Sequence, residues 1–240
     1  MANTILHKAD TRGHADHGWL NSYHSFSFAN YYNPERMHFG ALRVLNDDTV
    51  AAGKGFGKHP HDNMEIISIP LEGDLEHSDS MGNKTIIRKG DIQAMSAGTG
   101  VAHSEYNANA DKEVKFLQIW LYPDSKNIKP QYSQVSLQPA DRKNKLQQIV
   151  SPRSNGNEGV TIRQEAWFSL GDLDKGLEVT YNIKRKGNGA YVFVLKGEVI
   201  IGDQKLGTRD GLGIWETDTI SITADSDTEI LLMDIPMDIQ

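Results

Sequence analysis

The chain has no cysteine. Disulfides, thiolate zinc sites and iron–sulfur clusters are therefore excluded, and a reducing compartment is the natural setting. It also lacks any apolar run near the roughly 20 residues that a membrane helix needs. The opening Met-Ala-Asn-Thr-Ile-Leu-His-Lys-Ala-Asp has no apolar core of a secretory signal. The expectation is a soluble, cytoplasmic protein without a membrane partner. Positive charge is in deficit, with 25 Lys and Arg against 32 Asp and Glu and a formal net charge of −7. Such a surface repels a phosphate backbone, which argues against direct nucleic-acid binding. Finally, none of the nine histidines lies beyond residue 103. Any imidazole site must be built by the first half.

What is present centres on Gly57-Lys58-His59-Pro60-His61-Asp62-Asn63-Met64-Glu65. In a strand, residues i and i+2 point the same way, so His59 and His61 share a face. Extending that parity puts Asn63, Glu65, Ile67, Ile69 and Leu71 on it too. Farther on, His103-Ser104-Glu105 repeats the device. An isolated His-x-His pair fits an exposed hairpin as well as a site, but a second pair on a nearby strand favours convergence. Three neutral imidazoles and a carboxylate suit a borderline divalent metal, and in an octahedral shell they leave two positions open. Between the pairs, turn residues such as Leu71-Glu72-Gly73 and Lys89-Gly90-Asp91 separate short β runs at 66–71, 85–87 and 92–95. That rhythm is antiparallel barrel or jelly roll.

The same residues resemble a known superfamily. Gly53, His59, His61 and Glu65 are spaced like the first cupin motif, and Gly90, Ser96-Ala97-Gly98, His103 and Asn107 like the second. Ser96 stands where a cupin usually has proline, the gap from Gly98 to His103 is two residues longer than usual, and Gly73 comes one residue late. These departures are similar to the pirin branch. So are His59-Pro60-His61 followed by Met64-Glu65, the segment 95–105, and Phe26-Ser27-Phe28-Ala29-Asn30-Tyr31-Tyr32. The resemblance covers almost the whole chain and is nearest to bacterial pirin-like proteins described as quercetin 2,3-dioxygenases.

It implies an all-β bicupin, two tandem antiparallel β-barrel (jelly-roll) domains. It also implies one divalent transition metal per chain, iron foremost, with Ni, Mn, Co, Cu and Zn as alternatives. The metal ligands are His59, His61, His103 and Glu105. The substrates are a flavonol-like aromatic and dioxygen, with heterocyclic ring opening and loss of carbon monoxide. Glu105 either coordinates or accepts the flavonol proton as general base. The general cupin pattern offers Glu65 instead; with Glu105 as ligand, Glu65 orients a ligand histidine. Two alternatives keep the fold: a non-enzymatic metal-binding regulator that docks on a protein partner, and a cupin with another reaction. Oligomeric state is not encoded in any motif, and a monomer suffices. Imidazole ligation predicts metal loss near pH 5–6.

Along the chain, residues 1–130 form the metal-binding domain, 131–145 a linker and 146–240 a second cupin domain without a metal site. His14 and His17 read as surface histidines. His24 shares parity with Phe26 and Phe28 and reads as a hydrogen-bonded core histidine; the aromatics of this segment are placed to line a pocket. Residues 40–45 form a short strand ended by a turn at Asn46-Asp47-Asp48. His77 reads as an exposed hairpin residue. The second half copies the first: residues 69–75 match 193–199, 89–93 match 209–213, and 160–168 is one of its strands. Counting back from Gly197 puts the counterparts of His59 and His61 at Ile183 and Arg185.

Overall fold

The structure, a computed structural model, describes residues 2–154 and 158–239. Strands dominate, with single 3-10 turns at Ala9–Thr11 and Pro139–Arg142. One seven-stranded sheet runs, edge to edge, Gln131–Ser136, Asp91–Ser96, Glu65–Glu72, Val114–Leu121, Leu42–Val50, Leu20–His24 and Gly13–Asp16. A four-stranded sheet of Gly55–His61, Val101–Asn107, Asp74–Asp79 and Lys84–Arg88 faces it and makes the first barrel. The second barrel repeats the plan. Its long sheet is Asn3–His7, Gly211–Trp215, Asn188–Lys196, Thr228–Pro236, Trp167–Leu173, Leu146–Pro152 and Val160–Ile162. Its short sheet is Glu178–Asn182, Thr219–Ala224, Val199–Ile201 and Gln204–Leu206. The chain is a tandem bicupin, as expected.

Alternation decides what each strand faces. Ile66 and Ser68, with Phe116, Gln118 and Trp120 on the neighbouring strand, point into the first barrel. Ile67, Ile69, Leu117, Ile119 and Leu121 point outward and meet Phe168, Phe193, Leu231 and Met233 of the second long sheet. The long sheets thus stack back to back. Their central strands, such as Glu65–Glu72 and Asn188–Lys196, are buried on both faces, which is why apolar residues run through them with little alternation. Gly73 and Gly197 occupy the same turn in the two barrels, both at positive φ. A Cβ at Gly73 would lie 2.7 Å from the Glu113 carbonyl oxygen, and one at Gly197 2.4 Å from that of Asp227. Only glycine fits either turn.

The structure corrects several sequence expectations. Residues 131–136 are not linker: they pair with Asp91–Ser96 as the outer strand of the first long sheet. Asn3–His7 leaves the first barrel and pairs with Gly211–Trp215 of the second. The barrels thereby exchange outer strands. The segment 40–45 continues through Asn46 and Asp48 to Val50, because both polar side chains face the barrel interior. The run 160–168 is two strands, one parallel and one antiparallel to Leu146–Pro152. Parity does not carry from His61 to Glu65 either. The chain bends at Asn63 (φ 45°) and passes from the short sheet to the long one, resetting which face is inward.

Candidate metal centre

Gly55–His61 is an edge strand, so Pro60, which has no N–H, sits where only one side needs pairing. His59 lies directly across from His103, and His61 across from Val101. A register shift between His103 and Glu105 marks a bulge, a device that re-aims side chains beside functional sites. The ring centroids of His59, His61 and His103 lie 4.4–4.8 Å apart. One ligating atom from each falls within 4.8 Å of the others. His59 Nδ1–H donates to the Gly57 carbonyl at 2.8 Å, which leaves Nε2 as its free lone pair. His61 Nε2 and both nitrogens of His103 are buried without a hydrogen-bond partner among the described residues. Burial, with neighbouring imidazoles, pushes His61 down to about 4 and His103 to about 2. Imidazoles with converging, unshared lone pairs fit a divalent transition ion.

Glu105 lies beside this triad and is 2% exposed. Its ligating atom groups with those of His77 and His103. Ser68 Oγ donates to one carboxyl oxygen at 2.9 Å and Gln118 Nε2 to the other at 2.6 Å. Burial outweighs both bonds and pushes the carboxyl up to about 7. His77 is fully buried, not an exposed hairpin residue. It pairs across the sheet with Glu105, bonds Asp79 Oδ2 through Nε2 at 3.0 Å, and packs against His103 and Tyr132. Its parity with Leu75, another inward residue, was the available signal. Glu65 faces away from the triad, toward the second barrel. Its Oε2 accepts from Ser96 Oγ at 2.6 Å and from the Arg163 backbone N–H at 3.0 Å. Burial pushes its carboxyl, too, up to about 7.

His59, His61 and Glu105 form one wall of a cavity of about 540 Å³, and His103 packs against both of these imidazoles. Phe28, Tyr31 and Trp120 line it with aromatic surface, so the N-terminal aromatics do reach the pocket. His14 and His17 sit at it as exposed residues. His24, Asn46 and Asp48 line it as well, and the sequence reading had not placed Asn46 or Asp48 there. His24 is buried, but neither nitrogen has a hydrogen-bond partner among the described residues, contrary to the expectation of a bonded core histidine.

A histidine-triad cavity in one of two stacked jelly-roll barrels defines a metal-site bicupin. Comparison narrows this further. The Pirin family profile matches residues 6–121, and that of the Quercetinase C-terminal cupin domain matches residues 148–235. Quercetin 2,3-dioxygenase of Escherichia coli K12 is 46% identical over 231 residues, which cover 96% of this chain and 98% of that protein. The pirin-like protein of Caulobacter vibrioides is 40% identical over 225 residues, covering 94% and 96%. Among solved structures, the bacterial pirin YhhW of Escherichia coli in complex with nickel(II) superposes with a TM-score of 0.91 at 44% identity, covering 98% of this chain and 99% of that one. The chain belongs to the pirin family.

Proposed function

We propose that this protein is a metal-dependent dioxygenase that opens the heterocyclic ring of a flavonol such as quercetin and releases carbon monoxide. One observation carries the reading: three imidazoles with converging ligand atoms meet beside a buried carboxylate at an aromatic-lined cavity. The names of the relatives, quercetin 2,3-dioxygenase and a nickel-bound pirin, support it. His59, His61 and His103 would hold the ion, iron by preference, with nickel the ion in the YhhW complex. Glu105 is the carboxylate of the site. A bound divalent ion supplies Lewis acidity and redox chemistry to the substrate oxygen and to dioxygen.

The remaining work falls to side chains. Glu105 takes the flavonol hydroxyl proton. Burial raises its basicity toward neutrality, where a general base is most effective. Ser68 and Gln118 fix the carboxylate's orientation. Phe28, Tyr31 and Trp120 form apolar walls that hold a flat ring system and exclude water. Residues 1–130 thus carry the chemistry and 146–240 a barrel without it.

Glu105→Gln tests the reading. The substitution keeps size and an acceptor oxygen but removes charge and basicity. Metal content, by elemental analysis, should stay at one per chain. Quercetin turnover, followed by oxygen uptake and carbon monoxide release, should fall about 10²–10⁴-fold. A metal-loaded wild type that leaves quercetin intact would sink the enzyme reading. Full activity in Glu105→Gln would remove Glu105 from the mechanism.

A further inference from the structure

A row of polar side chains crosses the first barrel where strand alternation calls for apolar ones. At one level of the long sheet His24 pairs with Asn46, Asn46 with Gln118, Gln118 with Ser68, and Ser68 with Gln93. One step along, Ser22 pairs with Asp48. The second barrel fills the matching places of Gln118, Ser68 and Gln93 with Leu232, Val192 and Leu212. Asp48 is matched there by Gly171.

Two members of this row already have a task, since Gln118 and Ser68 hold Glu105. His24 and Asp48 have no such role. His24 is 3% exposed, is wedged against Phe28 and lines the cavity, yet neither ring nitrogen is bonded among the described residues. Burial pushes it down to about 4, so it is a neutral ring with one donor and one acceptor. Asp48 is 4% exposed and accepts from the Ser22 hydroxyl. Burial pushes it up to about 7, so near neutrality much of it is a neutral acid able to donate. A buried donor or acceptor left unmatched is costly, and a ligand that matches it recovers that cost. The strand of His24 lies two places from that of Gln118, roughly 9–10 Å at ordinary strand spacing. Two linked aromatic rings bridge such a distance.

Resting on the dioxygenase reading, we infer that His24 and Asp48 set substrate specificity. They hydrogen-bond a phenolic hydroxyl on a ring remote from the hydroxyl that yields its proton to Glu105. The preferred class is therefore polyhydroxylated flavonols, not flavonols with bare outer rings.

The test uses the metal-loaded protein and two flavonol series, one graded in hydroxyls on the pendant ring and one on the fused benzo ring. Both kcat/KM and Kd, the latter from flavonol absorbance titration, are measured for each member. Wild type should favour the hydroxylated member of at least one series by about 10–100-fold, the effect of one buried hydrogen bond. His24→Leu and Asp48→Ala should shrink that ratio to within about threefold of unity, while His24→Gln, which keeps a donor and an acceptor, should retain most of it. A purely structural role would lower all members together, so an unchanged ratio in His24→Leu and Asp48→Ala overturns the inference. Turnover without any hydroxyl preference in wild type does the same and leaves the dioxygenase reading standing. Selective binding without turnover of any flavonol removes the dioxygenase reading and leaves the recognition wall. Failure to bind any flavonol removes both.

Discussion

Where the first barrel has His77, His103 and Glu105, the second has Ile201, Ile220 and Ile222. The match follows from register. Leu75 pairs with Asn107 as Val199 pairs with Ala224, and counting back along each strand aligns the rest. His103 faces His59 as Ile220 faces Tyr181, and Ile183 bonds the Asp218 carbonyl at the place of His61. The counterparts of His59 and His61 are therefore Tyr181 and Ile183, two residues before the positions read from sequence. The interiors differ accordingly. Apolar residues of the first barrel form two small groups, one around Phe116 and one of Ile66, Met95 and Val101. Those of the second form one continuous cluster. Even its buried carboxylate, Asp234, is matched, by Tyr181 Oη at 3.0 Å, Asn188 Nδ2 at 2.7 Å and the Lys184 backbone N–H at 2.7 Å. One fold thus supports two interiors. The second is packed and paired for stability; the first keeps unpaired nitrogens and open space for a ligand.

The largest expected effect is on metal content. His59→Ala and His103→Ala should each reduce bound metal from one per chain to near zero. A wild type carrying two equivalents, one of which survives His59→Ala, would locate a site in the second barrel. Stability should divide the other way. Ile222→Ala opens a hole in a dry core and should cost ~2–5 kcal/mol in urea unfolding. Ser68→Ala removes one bond to Glu105 beside an existing cavity and should cost about 1 kcal/mol. Equal losses would erase the division.

Acidification sharpens the contrast. His61 and His103 stay neutral well below the ordinary imidazole range. Metal should therefore be retained through pH 5–6, where unperturbed histidines would release it, and lost as pH falls toward about 4. An unfolded chain protonates these rings at the usual pH, so their contribution to stability is present above that range and is lost as pH falls through the folded values. Release complete by pH 6, in a pH titration of bound metal, would contradict this. The smallest effect belongs to Glu65→Gln. The side chain bonds Ser96 and Arg163 between barrels, so metal content should not change. Stability should stay within about 1 kcal/mol of wild type near pH 6 and exceed it above pH 8, where wild type must bury a charge. Metal loss in this variant would return Glu65 to the site.

The triad and Glu105 were legible because two residues of spacing on a strand fix a shared face, and two such pairs on neighbouring strands meet. The β rhythm and its repetition were legible for the same reason: the signal is local. Asn46 and Asp48 were misread because a polar cluster after an apolar run looks the same whether it turns the chain or faces a wet interior. His77 was misread because the acidic residues around it suggested solvent, while one of them, Asp79, is its partner. Glu65 was misplaced because strand parity was carried straight through Asp62-Asn63, a turn pair whose Asn63 takes a positive φ. The exchange of Asn3–His7 for Gln131–Ser136 pairs segments whose partners lie elsewhere in the chain, and no window of sequence contains it.

That exchange also bears on the order of assembly during synthesis. Asn3 pairs with Trp215, and the His7 ring meets the Tyr191 hydroxyl at 2.9 Å. The strand Asn3–His7 thus waits for about 210 further residues before its partner is made. At ribosomal speeds of roughly 5–20 residues per second, that is about 10–40 seconds. The histidine cluster needs no such delay, because His59, His61, His77, His103 and Glu105 all emerge early. Its covering strand, whose Tyr132 packs on His77, follows about thirty residues after His103. The half that carries the histidine triad can therefore close while the half that locks the molecule together is still being translated.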